Sequence, residues 1–110
     1  MRRLLLLILL LAFSPQTAAF AKGHFLHEAG GTVTTRDGTR LSAHVFRLDD
    51  PAPRPVILAF TPYAVQELLP RARFFADHGY VFVAVSARGR GDSDGAFEPF
   101  SARDGPDSAD

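Results

Sequence analysis

Two apolar runs decide the fold of this chain: "VILAF" at residues 56–60 and "YVFVAV" at residues 80–85. Both are apolar at successive positions, whereas a half-exposed strand would alternate apolar and polar residues. A continuous apolar run of this length is typical of a strand covered on both faces, as in a parallel sheet. We therefore expect two buried strands here.

The segment between these runs, "TPYAVQELLPRARFFADHG" at residues 61–79, predicts a crossover helix. Its apolar residues near helical spacing are Leu68, Leu69, Ala72, Phe75 and Ala76. Pro70 interrupts the pattern and Gly79 stands where a helix would stop, so we predict a loop followed by a short helix from Arg71 to His78. A strand, a helix and a strand in this order favour parallel pairing of the two strands.

The preceding stretch, "GTVTTRDGTRLSAHVFRL" at residues 31–48, predicts a β-hairpin. Two alternating runs flank Arg36-Asp37-Gly38, and an Asp-Gly step is a strong hairpin signal. The proline-rich segment Asp49 to Pro55 is expected to be a surface connection. Nothing after Phe100 is expected to form a buried element. The predicted fold class is α/β, with a hairpin followed by the strand–helix–strand unit of a mostly parallel sheet.

The first 21 residues, "MRRLLLLILLLAFSPQTAAFA", have the organisation of a secretory signal peptide. Arg2 and Arg3 precede an apolar run from Leu4 to Phe13, and small residues lead to a cleavage site after Ala21. The apolar run is far shorter than the roughly 20 residues that span a bilayer. We expect residues 22–110 to form a secreted or periplasmic protein, with no membrane attachment after cleavage.

The charge pattern excludes several binding functions. Lys and Arg number 12 and Asp and Glu number 12, so no basic surface for nucleic acid is expected. His24 and His27 are interpreted as exposed tail residues, because no cysteine or acidic cluster supports them as metal ligands. The acidic residues of the loop after residue 85 do not fit a calcium loop. We expect neither metal nor cofactor.

Ser93 lies in Gly91-Asp92-Ser93-Asp94-Gly95, which matches the Gly-x-Ser-x-Gly string of many serine hydrolases. That motif requires serine on a tight turn between a strand and a helix, followed later by histidine. Here Ala87 to Asp92 intervene between the strand and Ser93, Pro99 interrupts the following segment, and every histidine precedes Ser93. We predict that Ser93 is a turn serine that hydrogen-bonds its own backbone.

Thr61-Pro62-Tyr63 follows the first buried strand. In an open parallel sheet, ligand-binding groups gather at the carboxyl ends of strands. A phenol at Tyr63 could donate a hydrogen bond to a developing oxyanion. It could equally be a packing tyrosine whose hydroxyl finds a backbone partner, and position alone does not decide between the two.

Four ordered stretches resemble a known family: "RDGTRLSAHVFRL", "PVILAFTPY", "ARFFADHGYVFVAVSARGRGDSDGAFEPF" and "DGPDSAD". Together they resemble the opening of the CocE/NonD hydrolases, the X-Pro dipeptidyl-peptidase-like group of α/β-hydrolases. The likeness runs from about Thr32 to Asp107.

The resemblance implies roles for individual residues. Tyr63 matches the tyrosine whose hydroxyl forms half of the oxyanion hole in this family. The "RGRGDSDG" loop matches a structural segment that borders the site. Ser86 stands where the family usually has aspartate, and Pro106 stands where it has tyrosine in the "DGYD" start of the next helix.

The resemblance also implies that the catalytic serine, aspartate and histidine lie downstream of this chain. We expect residues 22–110 to be the N-terminal portion of the domain, truncated before the nucleophile elbow and inactive alone. It should then expose apolar strand edges and aggregate, or stay partly unfolded. The complete enzyme would hydrolyse ester or amide bonds of a small-molecule or peptide substrate. The alternative is a small secreted binding module without catalysis. Oligomeric state is not predicted.

Overall fold

The computed structural model describes residues 23–110, so the predicted signal peptide lies outside the described residues. Within residues 23–110, four strands, two helices and one 3-10 turn follow one another. They are β1 (Phe25–Thr34), β2 (Arg40–Leu48), β3 (Val56–Thr61), the 3-10 turn (Val65–Leu68), α1 (Leu69–Asp77), β4 (Val81–Ser86) and α2 (Asp104–Ala109). The strands form one sheet in the order β1-β2-β4-β3. The β1/β2 and β2/β4 pairs are antiparallel, and β3 pairs with β4 in parallel.

The predicted hairpin is confirmed, and it is longer than its pattern indicates. Its turn is held by Asp37, whose Oδ1 accepts hydrogen bonds from the Thr35 hydroxyl at 2.5 Å and the Thr39 amide at 3.2 Å. A register shift before Gly31 obscures the alternation upstream, where β1 continues back to Phe25. The prediction that His27 lies in a tail is therefore wrong, because β1 includes it.

The predicted parallel pairing of the two apolar runs is confirmed. Thr61 and Ser86 are paired at the carboxyl ends of β3 and β4, so the loops that follow both strands start side by side. One face of the sheet packs against α1 and the 3-10 turn. The buried side chains of that layer are Phe46, Val65, Ala72, Phe82 and Ala84.

The prediction that both faces of β3 are covered is wrong within the described part of the chain. Ile57 and Ala59 pack against the core, while Val56 and Leu58 are 61% and 55% exposed. β3 is an edge strand, and no element among residues 23–110 covers this face of it. The expected exposure of apolar strand surface is thus observed.

The crossover helix starts earlier than predicted. It begins at Leu69 and ends at Asp77, with Pro70 in its first turn. A proline is tolerated there because the first amide groups of a helix have no intrahelical acceptor. Pro70 therefore does not interrupt the helix. No helix within residues 23–110 is long and apolar enough to cross a membrane.

The prediction that nothing after Phe100 forms a buried element is also wrong. Asp107 of α2 is buried and accepts two hydrogen bonds from buried Arg88, at 3.0 Å and 2.9 Å. The same guanidinium lies 2.9 Å from Asp37 in the hairpin turn. Hydrogen bonding to Arg88 lowers the pKa of Asp37, and hydrogen bonding to Asp107 and Asp37 raises the pKa of Arg88. An ionic cluster therefore joins α2, the hairpin turn and the loop after β4.

Candidate functional site

A cavity of about 300 Å³ lies where β3 and β4 end. The loop after β3 contributes Tyr63 to its wall, and the loop after β4 contributes Arg90 and Asp92. His44 of β2 and Ser86 of β4 line it as well. The parallel register creates this arrangement, because it brings the carboxyl ends of both strands to one edge of the sheet.

Tyr63 is an exposed residue of the cavity wall. The residue is 66% exposed, and its hydroxyl makes no hydrogen bond to another residue of the 23–110 range. A packing tyrosine would be buried with its hydroxyl paired to the backbone. The surroundings of Tyr63 therefore match a side chain that is available to a ligand.

The backbone before Tyr63 is held on both sides. The Tyr63 amide donates a hydrogen bond to the Thr61 hydroxyl at 3.0 Å. The Pro62 carbonyl accepts one from Arg90 Nε at 2.7 Å. The Arg90 guanidinium also lies 4.8 Å from the centre of the Phe97 ring, within the range of a cation–π contact.

Glycines permit the tight path of the loop after β4. Gly89 has φ +74°, and a Cβ there would lie 2.2 Å from the Phe97 amide nitrogen. Gly91 has φ +52°, and a Cβ there would lie 3.0 Å from Ser86 Oγ. Positive φ and close approach both favour glycine. Ser86 is buried next to this loop.

Ser93 is a structural residue. Its Oγ accepts a hydrogen bond from the Ser42 amide and donates one to the Ser86 carbonyl, both at 2.8 Å. These contacts join the loop to β2 and β4, so the prediction that Ser93 bonds its own backbone is wrong about the partners. The prediction that it is a turn serine agrees with the structure, since the Ser93 amide donates to the Arg90 carbonyl at 2.9 Å.

The contact of His44, which lines the cavity, with His27 was missed from the sequence. His27 Nε2 lies 2.8 Å from His44 Nδ1, and the His27 ring stacks on Phe46 at 4.4 Å. Burial, and secondarily the charge of His44, lower the pKa of His27. Alternation along β2 could have placed His44 beside Phe46, but pairing with His27 requires the β1 register.

The side chains that could bind a metal ion are not grouped together within residues 23–110. Among residues 23–110, no group of three or more His, Asp or Glu side chains is arranged to hold a metal ion. Asp94 is paired with Arg40 at 3.2 Å instead.

Comparisons with known proteins agree with this architecture. The family model of the X-Pro dipeptidyl-peptidase (S15 family) matches residues 37–110. A CocE/NonD family hydrolase from Staphylococcus aureus is 27% identical with a TM-score of 0.63, and the match covers 76% of this chain and 19% of that one. No curated protein sequence matches the chain.

Two further solved structures share the fold. An α-amino acid ester hydrolase is 21% identical with a TM-score of 0.60, over 77% of this chain and 16% of its own. An esterase from Pyrococcus furiosus is 23% identical with a TM-score of 0.58, over 76% of this chain and 33% of its own. The chain thus spans a third or less of these hydrolases. It belongs to the X-Pro dipeptidyl-peptidase (S15) family of CocE/NonD-type hydrolases and corresponds to their N-terminal region.

Proposed function

We propose that this chain is the N-terminal part of a serine hydrolase that cleaves ester or amide bonds in a small-molecule or peptide substrate. In this proposal Tyr63 donates one hydrogen bond of the oxyanion hole. The observation that carries it is the exposed side chain of Tyr63, a residue that lines the cavity at the end of β3 and whose hydroxyl has no partner among residues 23–110.

The chemistry requires a donor at this position. When a serine attacks an acyl carbon, the carbonyl oxygen gains negative charge, and a histidine accepts the serine proton and later gives it to the leaving group. A donor already aimed at that oxygen stabilises the transition state more than the substrate. One such donor contributes about 3 kcal/mol, which corresponds to a factor of about 100 in kcat.

We place the nucleophile, acid and base outside this chain. Ser93 Oγ already accepts one hydrogen bond from a backbone amide and donates one to a backbone carbonyl, both at 2.8 Å. The uncovered face of β3, with Val56 and Leu58 exposed, suits a sheet that continues into further structure. The small share of each related hydrolase that the chain spans supports the same proposal.

The location of the nucleophile can be tested by covalent labelling. The complete coding region, read beyond the codon for Asp110, would be expressed and treated with a fluorophosphonate, and the modified peptide identified by mass spectrometry. We expect a labelled serine beyond residue 110, and no labelling of the 110-residue chain alone. Modification of Ser93, or a complete protein that neither labels nor hydrolyses p-nitrophenyl acetate, would overturn the proposal.

The role of Tyr63 can be tested in the same complete protein. Tyr63→Phe removes only the hydroxyl and should lower kcat for p-nitrophenyl acetate about 100-fold. Tyr80→Phe is the matched control, because Tyr80 is the other tyrosine and packs edge-on against Phe75 away from the cavity lining. Equal activities of the two variants would contradict the assignment.

We also propose that the protein is secreted or periplasmic after cleavage behind Ala21. The order of Arg2, Arg3, the apolar run and the small residues supports this proposal. N-terminal sequencing of the exported protein should begin at Lys22. A mature protein that retains Met1 would contradict it.

A further inference from the structure

The peptide group between Pro62 and Tyr63 is fixed at both of its polar atoms. Its carbonyl oxygen accepts a hydrogen bond from Arg90 Nε at 2.7 Å. Its N–H donates to Thr61 Oγ1 at 3.0 Å. A peptide group is planar, so two hydrogen bonds at opposite edges restrict its rotation about the chain.

Both residues that hold this peptide are themselves anchored. Thr61 is 6% exposed, and its carbonyl accepts the Ala87 amide at 2.8 Å. The backbone amide of Arg90 donates to the Ala87 carbonyl at 2.9 Å, and its guanidinium lies against Phe97. The orientation of the peptide is therefore tied to the parallel sheet on one side and to the loop after β4 on the other.

This restriction matters for a tyrosine that must aim its hydroxyl. The Tyr63 hydroxyl lies about 6.5 Å from its Cα, so a 10° tilt of the preceding peptide displaces it by about 1 Å, a shift that can cost 100-fold in rate. With the peptide held, the torsions that still aim the hydroxyl are φ of Tyr63 and its two side-chain torsions.

We infer that Arg90 is a positioning residue, which together with Thr61 orients Tyr63 toward the cavity. The effect of Arg90 on catalysis rests on the proposed function, whereas its restriction of the Tyr63 backbone does not. Because Arg90 also lines the cavity, the competing possibility is that its guanidinium binds an anionic part of the substrate. The two roles predict different kinetics.

A double-mutant cycle in the complete protein separates these roles. Arg90→Ala should lower kcat about 10-fold with KM unchanged, and it should have no further effect when combined with Tyr63→Phe. The matched control is Arg71→Ala, since Arg71 is exposed on α1 and does not line the cavity. A change confined to KM, or an equal loss of kcat in the Tyr63→Phe background, would overturn the inference.

Substitutions at Thr61 test the second hydrogen bond without changing the shape of the core. Thr61→Val is nearly isosteric but removes the acceptor, and Thr61→Ser keeps it. We expect Thr61→Val to lower kcat and Thr61→Ser to restore most of it. Equal kcat values for the two variants would contradict a role of this hydrogen bond.

A measurement that does not depend on hydrolysis completes the test. In the 15N-labelled complete protein, the order parameter of the Tyr63 amide should fall from about 0.85 to below 0.6 in Arg90→Ala, while that of the Tyr80 amide stays unchanged. An unchanged Tyr63 value would overturn the inference even if the protein is a hydrolase. A fall at Tyr63 in a protein without hydrolase activity would support the inference and refute the proposed function.

Discussion

Replacing Ser93 by alanine should destabilise the fold substantially, although Ser93 carries no proposed chemistry. The substitution removes both 2.8 Å hydrogen bonds of its Oγ, and these partners are backbone groups of residues with little exposure: Ser42 at 6% and Ser86 at 2%. An unpaired buried polar group costs about 1–3 kcal/mol. Since Ser93 itself is only half-buried and water can reach part of the gap, we expect a loss of about 2–3 kcal/mol.

Urea-induced unfolding of the complete protein, followed by circular dichroism at low protein concentration, measures this loss. Ser93→Ala should lower the midpoint without changing the slope, which reports the surface exposed on unfolding. Ser108→Ala is the matched control, because its single hydrogen bond to the Gly105 carbonyl at 2.9 Å is exposed and should be worth less than about 0.5 kcal/mol. If Ser93→Ala and Ser108→Ala unfold at the same midpoint, the structural role of Ser93 is refuted.

Three further predictions concern stability and association. Asp107→Ala breaks the buried ion pair of α2 and should cost about 3 kcal/mol in the same unfolding assay, and an effect below 1 kcal/mol would contradict the burial of that pair. Because burial lowers the pKa of His27, the unfolded chain binds a proton near pH 6.5 that the folded chain does not, so the free energy of unfolding should decrease as pH falls below 6.5. His27→Phe should flatten that pH dependence, and an unchanged pH profile would contradict it. Leu58→Glu places a charge on the uncovered face of β3 and should reduce self-association in sedimentation velocity, while equal association of both proteins would show that this face is not adhesive.

The strands could be predicted because short stretches of the sequence indicate them directly. The runs at residues 56–60 and 80–85 are apolar throughout, and Asp37-Gly38 marks the hairpin turn. The prediction that both faces of β3 are covered failed because an apolar strand pattern indicates only that the strand is buried in the complete fold. The pattern does not indicate whether residues of this chain provide the elements that cover the strand.

The errors have physical reasons. The burial of α2 was missed because its buried residue is an aspartate, and hydrophobic patterning does not detect a residue whose burial depends on pairing with Arg88. The start of α1 was missed because Pro70 was read as an interruption, although it occupies the first turn. The pair of His27 and His44 depends on strand register, which no local pattern contains.

The candidate site was partly predictable. Tyr63 was singled out by its place after a buried strand and by the family resemblance. The hydrogen bond from Arg90 to the Pro62 carbonyl was not, because it joins two loops 28 residues apart. Spacing along the chain says nothing about such a contact until the parallel register of β3 and β4 is known.

The proposed role of Tyr63 is tested most directly by a crystal structure of the complete protein with a phosphonate bound covalently to its nucleophilic serine. The phosphonyl oxygen stands in for the oxyanion of the transition state. We predict that the Tyr63 hydroxyl lies 2.7–3.1 Å from that oxygen, the distance expected of an oxyanion-hole donor. A phosphonyl oxygen held by other donors, with the Tyr63 hydroxyl out of hydrogen-bond reach, would contradict the account.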